Sequence, residues 1–114
     1  VGSEMCIRDR FKRGPAPEAV IASNGLLLMG VVRALRGAGK SMPDDLAVAG
    51  FDNESWTDLI GPGLTVIEQP VATMGRTAMQ LLLERLEDPD APLRKMVLGG
   101  RCLARGSTTG RERP

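Results

Sequence analysis

Histidine does not occur in these 114 residues. With it go the commonest general base and the commonest metal ligand, so a His-based triad and a metalloenzyme are both excluded within the chain. Tyrosine is absent too, and two Phe and one Trp are too few to form a stacking platform for single-stranded nucleic acid. Cys6 and Cys102 are the only thiols. They lie far apart, in no metal-ligand spacing, and read as two reduced thiols rather than a disulfide framework. There is no excess of one charge: 15 Lys plus Arg stand against 14 Asp plus Glu, a net +1. Such a balance leaves no electrostatic footprint for nucleic acid or a membrane surface. No apolar run approaches the roughly 20 residues that span a bilayer, and no signal-peptide pattern argues for export, so a cytoplasmic location is expected.

What is present is one small α/β domain. Its organising stretch is MPDDLAVAGFDN, Met42 to Asn53. A Pro-Asp-Asp turn leads into an uncharged strand, Leu46 to Phe51, which suits a parallel sheet covered on both sides. The strand stops on Asp52, at the rim where open α/β sheets bind ligands. Upstream, Ala19 to Ser23 reads as a buried strand ending at Asn24. Leu26 to Ala38 carries apolar residues at helical spacing, with Gly39 in the C′ position. Strand, helix and strand make one βαβ unit.

Downstream, Glu54 to Ile60 reads as a short helix and Thr65 to Glu68 as a third strand ending at Gln69. Val71 to Leu86 is the strongest helix, with Val71, Met74, Ala78, Leu82 and Leu86 on one stripe that belongs to a core or an interface. Lys95 to Leu98 and Arg101 to Ala104 read as two closing strands. The first ten residues, VGSEMCIRDR, show neither helical nor strand periodicity and resemble translated sequencing-adapter sequence. Phe11 to Pro17 reads as a linker or loop, and residues 1–12 are set outside the fold as a non-native, disordered leader. Residues 13–108 form the domain, and 109–114 a disordered tail.

Three strands therefore end in polar side chains: Asn24, Asp52 and Gln69. Each has a structural alternative: Asn24 as a helix N-cap, Asp52 as an Asx-turn, Gln69 as a loop amide. Together, an amide, a carboxylate and an amide suit a polyhydroxylated ligand, because carboxylates accept from hydroxyls and amides both donate and accept. Trp56 could stack on a sugar face or pack a short helix. Gly39-Lys40-Ser41 imitates a P-loop, yet Ala34 replaces the required Gly and the motif closes a helix instead of opening one.

The order SNGLLLMGVVRALRGAG, MPDDLAVAGFDN, GPGLTVIEQPVATMGRTAMQLLLERL and LARGST resembles the LacI/GalR family of bacterial transcriptional regulators. The likeness runs from Pro17 to Thr108 and is to the C-terminal part of the effector-binding core, which is similar to type I periplasmic sugar-binding proteins. It implies a parallel, three-layer Rossmann-like lobe, present here as an incomplete fragment. It implies that Asn24, Asp52 and Gln69 contact a small-molecule effector, a sugar or related compound, with Trp56 at the effector or an interface. A homodimer would form through Leu28, Met29, Val32 and Ile60, and the Val71 to Leu86 helix would cross to the other lobe. Many members carry Asp where this chain has Gly25. Operator DNA would be read only through a helix-turn-helix headpiece that this sequence lacks. No cofactor, metal, catalytic residue or membrane partner is expected. A periplasmic sugar-binding protein of a transport system is the alternative with the same fold. An enzyme with Asp or Glu as acid and base lacks a close carboxylate pair or nucleophile elbow.

Overall fold

The computed structural model describes residues 2–110. Seven elements follow in the order α1 (Gly2–Lys12), β1 (Ala19–Ala22), α2 (Gly25–Gly37), β2 (Ala47–Phe51), β3 (Thr65–Glu68), α3 (Val71–Glu87) and β4 (Arg101–Leu103). The four strands form one sheet in the order β1-β2-β3-β4. β1 and β2 are parallel with Val20 opposite Val48, and β2 and β3 are parallel with Gly50 opposite Val66. β4 closes the edge antiparallel, Val66 facing Leu103.

Alternation along the strands decides what is buried. Val48 and Gly50 point into the core and Val66 joins them, against Leu28, Val31, Val32 and Leu35 of α2. Gly50 is small for a reason. A β-carbon there would stand 2.8 Å from the Leu28 side chain, so the glycine lets α2 lie directly on β2. The 53–64 crossover joins β2 to β3 without a helix and adds Trp56 and Ile60 to the same core. Residues 105–108 then return to the amino-terminal ends of β2 and β3, where the Ser107 carbonyl accepts from the Val48 amide at 3.0 Å. Ser107 Oγ accepts from the Thr65 amide at 2.8 Å and donates to the Val48 carbonyl at 2.5 Å, so its buried hydroxyl is satisfied.

Several expectations need correction. Part of the expected leader is helical: α1 packs along α2, with Ile7 and Phe11, four residues apart on one face, set against the core. Arg10 and Lys12 sit in its last turn, where cations complement the helix dipole. Residues 55–59 form turns, not a helix. The Thr57 amide donates to the Glu54 carbonyl at 3.0 Å and the Leu59 amide to the Trp56 carbonyl at 3.2 Å, both i→i−3 bonds, and the Thr57 hydroxyl also donates to the Glu54 carbonyl at 2.8 Å. Residues 95–98 are not a strand; β4 has taken the only free edge next to β3, leaving Val97 81% exposed. Of the expected tail, Thr109 and Gly110 are described and residues 111–114 lie outside the described residues.

Helical cover lies on one face of the sheet; on the other, Ile21 is 72% exposed. None of the residues of α3 is buried, so its apolar stripe is an uncovered face and not part of this core. Thus the two helices should answer truncation differently. Leu28→Ala should lower unfolding stability by about 3 kcal/mol, whereas Leu82→Ala should change it by no more than about 0.5 kcal/mol. Urea denaturation of the two variants checks this, and equal losses would mean that α3 is packed in solution.

Candidate functional site

β2 and β3 run parallel, so both present their carboxyl ends on the same side of the sheet, and Asp52 and Gln69 follow at those ends. Asp52 adopts φ 74°, a left-handed conformation that costs most side chains about 1–2 kcal/mol and that Asp and Asn tolerate best. Its amide still donates to the Ile67 carbonyl at 3.0 Å, which extends the ladder by one residue. The turn swings the carboxylate toward β3, where Gln69 Nε2 donates to Asp52 Oδ1 at 2.6 Å.

A second rung lies beside the first. Asn53 Nδ2 donates to Glu68 Oε1 at 2.9 Å, and Arg101 Nη2 donates to Glu68 Oε2 at 2.8 Å. These contacts, Asn53 first and Arg101 next, hold the Glu68 carboxyl below its ordinary pKa. A lowered folded-state value means that the stabilisation is present above the ordinary Glu pKa and fades as pH falls through the lowered one. Asp52, Asn53, Glu54, Glu68, Gln69 and Val71 together line an open hollow of about 290 Å³.

Asn24 sits elsewhere. It caps α2, its Oδ1 accepting from the Leu27 amide at 2.9 Å, and it does not line the hollow. The structure thus brings together Asp52 and Gln69, while the third polar tip has a structural task. Glu54 bridges the gap. A β-carbon at Gly25 would lie 2.1 Å from Glu54 Oε1, so the glycine leaves room for the Glu54 carboxylate beside the first turn of α2. Asn53, Glu54, Glu68 and Arg105 all escaped sequence reasoning. Adjacency to Asp52 and Gln69 was the available signal for the first three; Arg105 had none.

Trp56 is half-buried and packs against the core, and it does not line the hollow, so packing is the role the structure gives it. Leu28 and Val32 are 0% and 4% exposed, which corrects their assignment to a subunit interface: they face the sheet. Met29 and Ile60 are half-buried. At the P-loop look-alike, Gly39 turns the chain at φ 65° and the Ser41 amide donates to Asp45 Oδ2 at 2.8 Å, so no amide cradle is offered to phosphate. Cys6 and Cys102 are both free and exposed.

The geometry is that of a sheet-edge polar pair flanking an open hollow, the kind of site found in ligand-binding α/β domains. The family model for the periplasmic binding protein-like domain matches residues 2–108. The chain is 45% identical over 76 residues to the HTH-type transcriptional regulator KdgR of Bacillus subtilis, covering 66% of this chain and 22% of that protein. Among solved structures, a LacI family transcriptional regulator from Enterococcus faecium with bound ribose shares 36% identity at a TM-score of 0.80, covering 94% of this chain and 39% of that one. Another from Arthrobacter sp. FB24, in complex with lactose, shares 28% at a TM-score of 0.78, covering 93% and 40%. The chain belongs to the periplasmic-binding-protein-like family, in the effector-binding region of LacI/GalR regulators. It spans less than half the length of these relatives, which are regulators and not enzymes.

The positive φ at Asp52 can be separated from its carboxylate. Asp52→Gly and Asp52→Ala both remove the bond to Gln69, but only alanine keeps a β-carbon in the left-handed region. The glycine variant should therefore be the more stable by about 1 kcal/mol. Thermal or urea unfolding of the pair checks this; equal stability would mean that residue 52 relaxes to negative φ.

Proposed function

We propose that this chain is the effector-sensing part of a LacI/GalR-type regulator and that its ligand is a polyhydroxylated small molecule of the sugar class. The reading is carried by one observation: Asp52, turned out of the strand into a left-handed conformation, meets Gln69 over an open hollow at the carboxyl edge of parallel strands. In this role the Asp52 carboxylate accepts from ligand hydroxyls. Gln69 donates through Nε2 to Asp52 Oδ1, which leaves its own Oε1 to accept from the ligand. Asn24 offers the ligand its amide nitrogen, since its oxygen caps α2. Bound sugars in the relatives from Enterococcus faecium and Arthrobacter support the ligand class.

The mechanism in this reading is a shift in population. A ligand seated between this unit and a second lobe favours one arrangement of the lobes, and a homodimer passes the change to a DNA-reading headpiece outside this chain. Of the four residues first assigned to the dimer face, the proposal keeps Met29 and Ile60, which reach the surface. The open faces of the sheet and of α3 suit a chain whose remaining lobe lies outside these 114 residues. Regulation is favoured over transport because the relatives described are regulators.

Calorimetry on the full-length regulator, titrated with ribose, cellobiose and lactose, tests the assignment. Whichever sugar binds, Asp52→Ala should weaken it by about 10- to 100-fold, the worth of a hydrogen bond to a charged group. An unchanged affinity would remove Asp52 from the site, and binding of none would reject this sugar set.

A further inference from the structure

Asp52 and Gln69 are each other's only side-chain hydrogen-bond partners among the described residues, and both stand at the solvent edge. Such a bond, made from a strained backbone, persists only where its surroundings over-determine it. The neighbouring rung supplies that support. Asn53 has every polar side-chain atom engaged: Oδ1 accepts from Arg105 Nη2 at 2.9 Å and from Thr57 Oγ1 at 3.3 Å, while Nδ2 donates to Glu68. Arg105 does more than hold Asn53. Its Nη1 donates to Thr57 Oγ1 at 3.1 Å and to the Leu64 carbonyl at 3.0 Å, so one guanidinium ties the start, middle and end of the crossover. Thr57 is fully buried beneath it. On the far side of the rung, Arg101 holds Glu68.

We propose that Arg105, assisted by Arg101, is a positioning residue for the Asp52–Gln69 pair, acting through the Asn53–Glu68 rung. Asn53 and Asp52 are successive residues, as are Glu68 and Gln69, so fixing the rear rung fixes the register and backbone angles of the front one. Arg101 lies on β4 and Arg105 just beyond it, in the chain that comes back after α3. The orientation of the ligand pair is therefore tied to the placement of that returning segment, which a planar, five-donor guanidinium can do and a lysine cannot. The functional meaning of this brace rests on reading Asp52 and Gln69 as the effector-gripping pair; its geometry does not.

Side-chain amide proton–nitrogen spectra of this chain test it, recorded without ligand for the unaltered sequence, Arg105→Lys, Arg105→Gln and Arg101→Gln. In Arg105→Gln the Gln69 Nε2 signals should lose more than half of their offset from free glutamine, while backbone amides of β1 and α2 keep their positions. Arg105→Lys should give a smaller shift, because it can reach Asn53 but cannot also span Thr57 and Leu64. Gln69 signals that stay in place while the Asn53 signals move would overturn the proposal, leaving Arg105 as a brace for the crossover alone. Gln69 signals that move together with β1 and α2 would overturn it as general loosening. Should Arg105→Gln fail to fold, Arg101→Gln decides, since it removes an exposed contact: a shifted Gln69 signal supports the brace and an unmoved one overturns it. No sugar enters the experiment, so its outcome is independent of whether the effector reading survives.

Discussion

A carboxylate at the end of a strand in a parallel sheet can be hydrated, paired or kept for a ligand. In this chain Asp52 is paired through its carboxylate, with Gln69 as its partner. Its backbone is bent into a region that most side chains avoid, yet its amide completes the ladder to Ile67 and its carboxylate accepts from Gln69. That single bond across β2 and β3 sets the direction of both polar tips. The core beneath supplies rigidity, with Leu28 pressed onto Gly50, and the Asn53–Glu68 rung supplies register. A left-handed Asp is a local cost, and here it is held by the ladder bond to Ile67 and the side-chain bond from Gln69.

Much of this architecture was legible in sequence. Ala19 to Ala22, Ala47 to Phe51 and Thr65 to Glu68 are short, largely apolar runs followed by polar residues, the pattern of parallel strands, although of β1 only Ala22 is buried. α2 was readable from its spacing, with Asn24 before it and Gly39 after it. The elements that misled are those whose form depends on partners. Residues 95–98 have strand-like composition, but β4 holds the edge beside β3, and residues 55–59 are closed by i→i−3 turn bonds that composition does not reveal. Residues 2–12 have weak periodicity, and their helix draws on contact with α2.

The site divides in the same way. Asp52 and Gln69 could be proposed because each closes a strand. The separation of Asn24 from them could not, since whether an amide caps a helix or faces a hollow depends on its rotamer. Likewise Leu28 and Val32 share apolar character with surface leucines such as Leu26, and only packing tells which side faces the sheet. Arg105 lies 52 positions from Asn53 in sequence, and a contact of that separation leaves no local trace.

Uncovered apolar surface gives the remaining physical context. α3 buries none of its residues, and Ile21 and Leu86 stand 72% and 68% exposed. The chain that carries this surface spans 22% of its Bacillus subtilis relative. The account turns on where a sugar sits when such a regulator holds one. A crystal structure of the full-length protein with its bound effector measures this directly. The account predicts an Asp52 carboxylate oxygen within about 3.2 Å of a ligand hydroxyl, with Gln69 beside it. A ligand seated away from this edge, with the Asp52–Gln69 bond intact and solvent-facing, would contradict it.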